Sequence, residues 1–347
     1  MKPIFVYVSL GKNKDELLMP FSTFANTNCP TARNILITDS PRKYKDFNGK
    51  VIRYFQTDRI AETMEALRRK KPFLKGIAGD YWFYTFERLL ALQLLEGEVD
   101  STASIIHLES DILSFIDEGL IETLYENYPK PAILRWGNYA NAGVLFCRNI
   151  IDLSCFVDAL HKIARDIILT NSWTIDMQIL NYMLESSSVS ELPTPRGESD
   201  GKLILSNDIW YREMRVICDS LDLGVYLFGR NSVYSGGKIE RGYTYDHLSW
   251  HIAKSRWMFQ DSFTERKIFR AIIMKYQHEE FWIPFLHINS KVNLVVNDLN
   301  LMKKLFPPNE WTGSMRFPQN GIHVASVHKI SKLVQFWFRV LNKIRRF

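Results

Sequence analysis

Short apolar runs alternate with amphipathic segments through the first third of the chain. The runs IFVYVSL at 4–10, NILITDS at 34–40, KVIRYF at 50–55 and SIIHLE at 104–109 have the length and β-branched content of buried strands. Between the last two, the stretch from Gly79 to Leu95 places Phe83, Phe86, Leu90 and Leu94 at helical spacing. Strands separated by helices predict an α/β protein with a parallel, doubly wound sheet, whose ligands sit beyond the carboxyl ends of the strands. Asp39 and the pair Glu109 and Asp111 fall at such ends.

Farther along, PAILRWGNYANAGVLFCRN at 131–149 reads as two apolar runs parted by Gly, Asn and Tyr. The segment 151–185 reads as mostly helical, and SSSVSELPTPRGESDGK at 186–202 reads as a loop from its Ser, Pro and Gly content. SGGK at 235–238 has two glycines and a lysine but lacks phosphate-loop spacing, so Gly236 and Gly237 predict a plain connection.

Composition narrows the class. No run reaches the roughly 18 apolar residues of a membrane span. The N-terminal apolar run has no small-residue cleavage site after it, which predicts a first strand and no signal peptide. Cys29, Cys147, Cys155 and Cys218 form no CxxC pair and no metal spacing, as expected of reduced thiols in cytosol. The net charge is +6, yet the residues after Glu310 carry seven basic side chains and no acid. Taking those seven away leaves −1 over the first 310 residues, so the basicity belongs to the tail and a nucleic-acid partner is not expected.

The acidic pair carries the chemistry. Where a strand ends and the chain turns, carboxylates at i and i+2 can converge on one ion. Hard divalent cations take one or two carboxylates together with substrate phosphates. A structural turn or helix cap uses the same residues, so the pair alone leaves both readings open.

Taken together, IIHLESDILSF at 105–115, RWGNYANAGVLFCRN at 135–149 and TIDMQILNYM at 174–183 resemble the DxD-containing glycosyltransferases of the GT-A fold. CDSLDLGVYLFGRN at 218–231 and IPFLHINSKVN at 283–293 resemble further elements of the bacterial and viral capsule or surface-polysaccharide members, so the resemblance spans residues 1 to about 293. It implies a GT-A-type, Rossmann-like mixed sheet flanked by helices, with 294–347 as a helical C-terminal extension. It implies Mn²⁺ or Mg²⁺ as cofactor and a nucleotide-diphosphate sugar as donor, with a saccharide or glycolipid as acceptor.

The roles that follow are likewise implied. Asp111 is a metal ligand, Glu109 touches metal or nucleotide ribose, and His287 closes the metal site. Ser9, Asp39, Arg88, Asn141, Ala142, Gly143 and Lys291 face the donor, while Asp176, Gln178 and Asp219 are catalytic candidates. Asp176 could act as general base in an inverting transfer, or cap a helix or pair in the core; the sequence leaves stereochemistry open. The sequence departs from the pattern at Glu109, where Asp is commoner, and at Asn289, where a second His is usual. A sugar-nucleotide nucleotidyltransferase shares the sheet and the acids, but would want a glycine-rich first loop where SLGKNKDELL has one glycine. An inactive, membrane-recruited binding protein of the same fold is a third reading.

The tail KISKLVQFWFRVLNKIRRF at 329–347 has apolar residues at helical spacing and bases largely opposite them. Such a helix can lie on an anionic membrane or pack its apolar side on the domain. The former predicts a protein peripheral on the cytosolic face.

Overall fold

The computed structural model describes residues 2–11, 18–70, 77–136, 139–167, 175–199, 202–205, 216–218, 230–231, 239–240, 256–264, 267–276, 279–287 and 311–312. Among the described residues up to 191 there are eight strands: β1 Ile4–Ser9, β2 Arg33–Thr38, β3 Lys50–Arg53, β4 Ile105–Leu108, β5 Ile112–Ser114, β6 Ala132–Trp136, β7 Tyr139–Cys147 and β8 Ser190–Glu191. Seven of them form one sheet in the order β3-β2-β1-β4-β7-β6-β8. The helices are α1 Leu18–Asn28, α2 Asp58–Lys70, α3 Ile77–Ala91, α4 Glu118–Asn127, α5 Ile150–Asp166 and α6 Ile175–Glu185.

All six residues of β1 are buried, as the unbroken apolar run predicts for an interior strand. Alternation along it feeds two cores. Ile4, Val6 and Val8 pack with α2, α3, α5 and α6, whereas Phe5 and Tyr7 pack with α1, α4 and a 3₁₀ turn at Pro41–Tyr44. Each such fully buried side chain contributes about 1.5–3 kcal/mol. The polar outer sides of the helices leave the sheet's ends as the places where polar groups can gather.

The sheet is parallel over β3, β2, β1 and β4 and again between β6 and β8; β7 runs antiparallel to both β4 and β6. The α/β sheet is therefore mixed and flanked by helices, in agreement with the GT-A-type expectation and not with an all-parallel one. The antiparallel step arises because Trp136 pairs with Tyr139, a hairpin too short for a crossover. Two further boundaries differ from the sequence reading. The helix expected to reach Leu95 is α-helical to Ala91 and finishes as a 3₁₀ turn, Leu92–Leu95. The segment read as a loop at 186–202 contains β8 and the strand β9 Pro195–Ser199, which pairs with β10 Lys202–Leu205. Its polar composition hid the strand, although Asp200-Gly201 between the partners is a hairpin signal.

Later strands complete the described chain. β11 Arg230–Asn231 pairs with β12 Ile239–Glu240. β13 Arg256–Thr264, β14 Lys267–Tyr276 and β15 Glu279–Ile283 form an antiparallel meander, and β16 Phe285–His287 returns to β5. β17 Trp311–Thr312 pairs with β13 and is the described part of the chain beyond 293. The tail at 329–347 lies outside the described residues.

Two local contacts fix the helical layers. Asn149 caps α5 by accepting from the Asp152 N–H at 2.9 Å, and Lys70 Nζ donates to the Ala164, Arg165 and Ile167 carbonyls at the other end of that helix. A cation on those carbonyls complements the helix dipole. At the sheet's edge, Gly49 lies so close to β2 that a Cβ there would stand 2.4 Å from the Asn34 carbonyl oxygen. Gly49→Ala must push β3 away from β2, and we expect it to destabilise the protein by about 1–3 kcal/mol in urea denaturation.

Candidate active site

The chain runs from β1 to β2 and β3 on one side, then crosses over to β4 on the other side of β1. The strand order thus reverses between β1 and β4, and in open α/β sheets ligands bind beyond the carboxyl ends at such a point. Ser9 ends β1 there, and Glu109, Ser110 and Asp111 form the turn from β4 into β5. The turn is tight: the Ile112 N–H donates to the Glu109 carbonyl at 3.0 Å, and the Glu109 N–H donates to the Gly143 carbonyl at 2.8 Å. Glu109 and Asp111 are both half-buried.

Arg88 on α3 approaches Glu109, with Nη2 to Oε1 at 3.4 Å. On β7, Gly143 leaves room for the Glu109 carboxylate, because a Cβ there would lie 3.4 Å from Oε2 and 3.0 Å from Asn141 Oδ1. Asn141 Oδ1 accepts from the Gly143 N–H, which holds the amide against the strand. Asn141 and Ala142 are buried. The small residues predicted to line a donor site thus border the acidic turn.

Helix α6 packs across β7 and brings Asp176 to the same place. The residue is half-buried as a whole, but its Oδ1 is shielded from solvent and has no hydrogen-bond partner among the described residues. Burial first, and the Glu109 carboxylate second, push Asp176 up to about 6; hydrogen bonds from the Met177 N–H and the Thr85 hydroxyl and the charge of Arg88 pull the other way. Thr85 and Arg88 are three apart on α3, hence on one face. Thr85 escaped the sequence reading, although its helical spacing from Arg88 was the available signal. Gln178 is half-buried on α6.

The donor-side candidates at the other strand ends are tied to the fold. Ser9 Oγ and Tyr44 OH are 2.7 Å apart, and Asp39 Oδ2 accepts from the Gly11 N–H at 2.8 Å. Gly11 has φ +107°, a conformation that glycine adopts without strain. Neither Tyr44 nor Gly11 was singled out in the sequence. His107, inside the acidic motif, is a core residue: burial lowers its pKa to about 4, and its Nδ1 lies 3.1 Å from the Val6 carbonyl.

His287 is carried to the site by its backbone. β16 pairs antiparallel with β5, opposing Phe285 to Ser114, Leu286 to Leu113 and His287 to Ile112, the neighbour of Asp111. Phe115 N–H donates to the Pro284 carbonyl at 2.7 Å. The His287 side chain, Asp219 and Lys291 lie outside the described residues. Among the described residues no three His, Cys, Asp or Glu side chains gather into a metal cluster.

No family model matches the chain, and no curated protein matches it. Solved structures similar to part of it include the PaToxG glycosyltransferase, at 13% identity over 53% of this chain and 68% of that one, with TM-score 0.33. Mouse xyloside xylosyltransferase 1 matches at 12% identity over 55% of this chain and 85% of that one, with TM-score 0.34. Glycosyltransferase GlyE of Streptococcus pneumoniae TIGR4 matches at 15% identity over 55% of this chain and 45% of that one, with TM-score 0.34. Likenesses this distant decide nothing about chemistry, which has to be argued from the side chains.

Asp176 offers a direct check of the site's electrostatics. Its folded pKa lies above the ordinary 3.8, so the native state binds the extra proton and ionisation above about pH 6 opposes folding. We expect Asp176→Asn to be more stable than wild type at pH 7–8, with the difference vanishing below the ordinary pKa of 3.8, as read from urea midpoints across pH.

Proposed function

We propose that the protein is a glycosyltransferase that moves a sugar from a nucleotide-diphosphate donor to a hydroxyl of a surface polysaccharide or lipid-linked saccharide. The observation that carries this reading is the return of β16 to the acidic turn, which sets His287 opposite the residue after Asp111 at the sheet's switch point.

The donor set suits a divalent cation. Glu109 and Asp176 both interact with one guanidinium, Arg88, which leaves one negative charge in excess when all three are ionised, and Asp111 follows Glu109 by two residues in the turn. Oxygen-rich sites of that charge favour Mg²⁺ or Mn²⁺. Asp111 and His287 would hold the ion, with Glu109 on the ion or on the ribose. Bound there, the cation would neutralise the departing diphosphate.

The chain's own groups divide the remaining work. Ser9, Asp39, Asn141, Ala142 and Gly143 line the donor side, and Lys291 meets the diphosphate charge. In the transfer, the acceptor oxygen bonds to the anomeric carbon, the nucleoside diphosphate leaves with the bonding pair, and the acceptor proton must go to a base. Asp176, with a pKa about 6 and an unsatisfied oxygen, is suited to take that proton near neutral pH or to orient a sugar hydroxyl. Gln178 and Asp219 are assigned beside it by the resemblance. In this reading 1–293 is the catalytic domain and 294–347 an extension whose basic helix holds the enzyme to the cytosolic face of an anionic membrane. Among the described residues no helix is long and apolar enough to cross a membrane.

Calorimetric titration of UDP, GDP and CDP, each with and without Mn²⁺, tests the assignment. We expect one nucleotide to bind in a metal-dependent manner, and Asp111→Ala to weaken it by roughly 10- to 100-fold, the usual range for disturbing a metal site. Absence of binding by every nucleotide, with and without metal, would leave the acidic turn a structural feature and refute the transferase reading.

A further inference from the structure

Phe55 is 61% exposed, a large apolar side chain just beyond the edge strand β3, whose own residues are half-buried or exposed. The local geometry fixes where it points. Tyr54 OH and Gln56 Nε2 both donate to Glu87 Oε1 on α3, at 2.6 and 3.1 Å. The residue between them is therefore directed away from α3, toward the opposite face of the sheet. Alternation along β3 agrees: Ile52 and Tyr54 pack with the core under α3, and Val51 packs with the other core, so Arg53 and Phe55 continue the face of Val51.

That face carries the 3₁₀ turn Pro41–Tyr44, whose Tyr44 and the following Phe47 belong to the same core as Val51. Burial of these aromatics turns the intervening residues outward. Arg42 and Lys45 are exposed, and so is Arg53 at the end of β3. None of the three has an acidic partner within ion-pair distance among the described residues. With Lys43, the rim holds four cations against Asp46 and against Asp39, whose carboxylate already accepts from Gly11.

We propose that this rim, Arg42, Lys45 and Arg53 around Phe55, docks the protein on an anionic lipid surface at the carboxyl edge of the sheet. Cations attract acidic headgroups, and an apolar ring among them can enter the headgroup and acyl boundary. An acidic polysaccharide would satisfy the cations equally well but offers the phenylalanine ring no hydrocarbon phase to enter, as a bilayer does. The contact is distinct from the tail at 329–347, and stable peripheral attachment generally needs two such signals. Ser9–Tyr44 joins the basic turn to the end of β1, so docking here would set the switch-point crevice beside the membrane plane.

The test uses the full chain, with Arg42→Gln/Lys45→Gln/Arg53→Gln as one variant and Phe55→Ser as a second. Co-sedimentation is measured with vesicles of mixed phosphatidylglycerol and phosphatidylcholine, with vesicles of phosphatidylcholine alone, and retention is measured on heparin. All four positions are exposed, and unchanged urea midpoints verify folding. We expect partitioning to the anionic vesicles to fall roughly tenfold or more for the charge variant and about fivefold for Phe55→Ser, with a weaker salt dependence in the former. Partitioning equal to wild type in both variants would overturn the proposal, as would a wild-type protein that ignores anionic vesicles. Loss of heparin retention with unchanged vesicle binding would also overturn it, in favour of an acidic polymer. Nucleotide titration of the same variants separates this result from the fate of the transferase reading.

Discussion

The desolvation of β1 on both faces is the constraint from which the rest follows. Six consecutive buried residues can satisfy their backbone groups only through neighbouring strands, here β2 and β4, and their side chains only under helices on both sides. Along such a strand a charged side chain has no water to face; the polar atom it does bury before Ser9 is the Tyr7 hydroxyl, which has no hydrogen-bond partner among the described residues. Polar chemistry is thereby confined to its end, where Ser9, the acidic turn after β4 and Asp39 after β2 emerge together. The reversal of strand order at β1 and β4 opens the gap that these groups border.

Helix α3 then sets the electrostatics of that gap. One face presents Thr85 and Arg88 to Asp176 and Glu109, while Glu87 holds Tyr54 and Gln56 at the exit of β3. A single guanidinium has to serve two carboxylates. It lies nearer Glu109, so Asp176 bears the burial penalty with less compensation and is the acid whose pKa rises. Burial thus makes Asp176 a carboxyl that can exchange a proton at about pH 6.

Much of this could be read from the chain. The runs that became β1, β2 and β4 were plain because both sheet faces are buried there, and burial on both faces writes itself as unbroken hydrophobicity. The acids at the tip of β4 stood out for the same reason, as charges where the apolar run stops. What could not be read was depth and partnership. Thr85 looks like any helical threonine until α6 is packed across β7, and Asp176 looks like a helix-start acid until its Oδ1 is enclosed. The antiparallel turn at β6 and β7 and the strands inside 186–202 were obscured because polar, Pro-containing and Gly-containing segments signal a turn more strongly than the short strands flanking it. Phe55 read as the end of an ordinary strand, since exposure on one face of an edge strand depends on what the neighbouring turn leaves uncovered.

The return of β16 shows how a short element can hold a distant residue in place. β5 and β16 have three residues each, too few to be stable as an isolated pair. Closing so long a stretch of chain costs little more than closing a shorter one, because the entropy of closure grows only logarithmically with length. The remaining requirement is burial, and Phe285 and Leu286 supply it, at 1% and 0% exposure. Asn28 Nδ2 donating to the Ser114 carbonyl at 2.9 Å, and the Phe115 N–H on Pro284, close the backbone on both sides of the pair. The placement of His287 beside the acidic turn therefore rests on apolar anchors and backbone hydrogen bonds, and owes nothing to the ligand. A site assembled in that way is organised before anything binds, so binding energy need not be spent on bringing the two ends of the chain together.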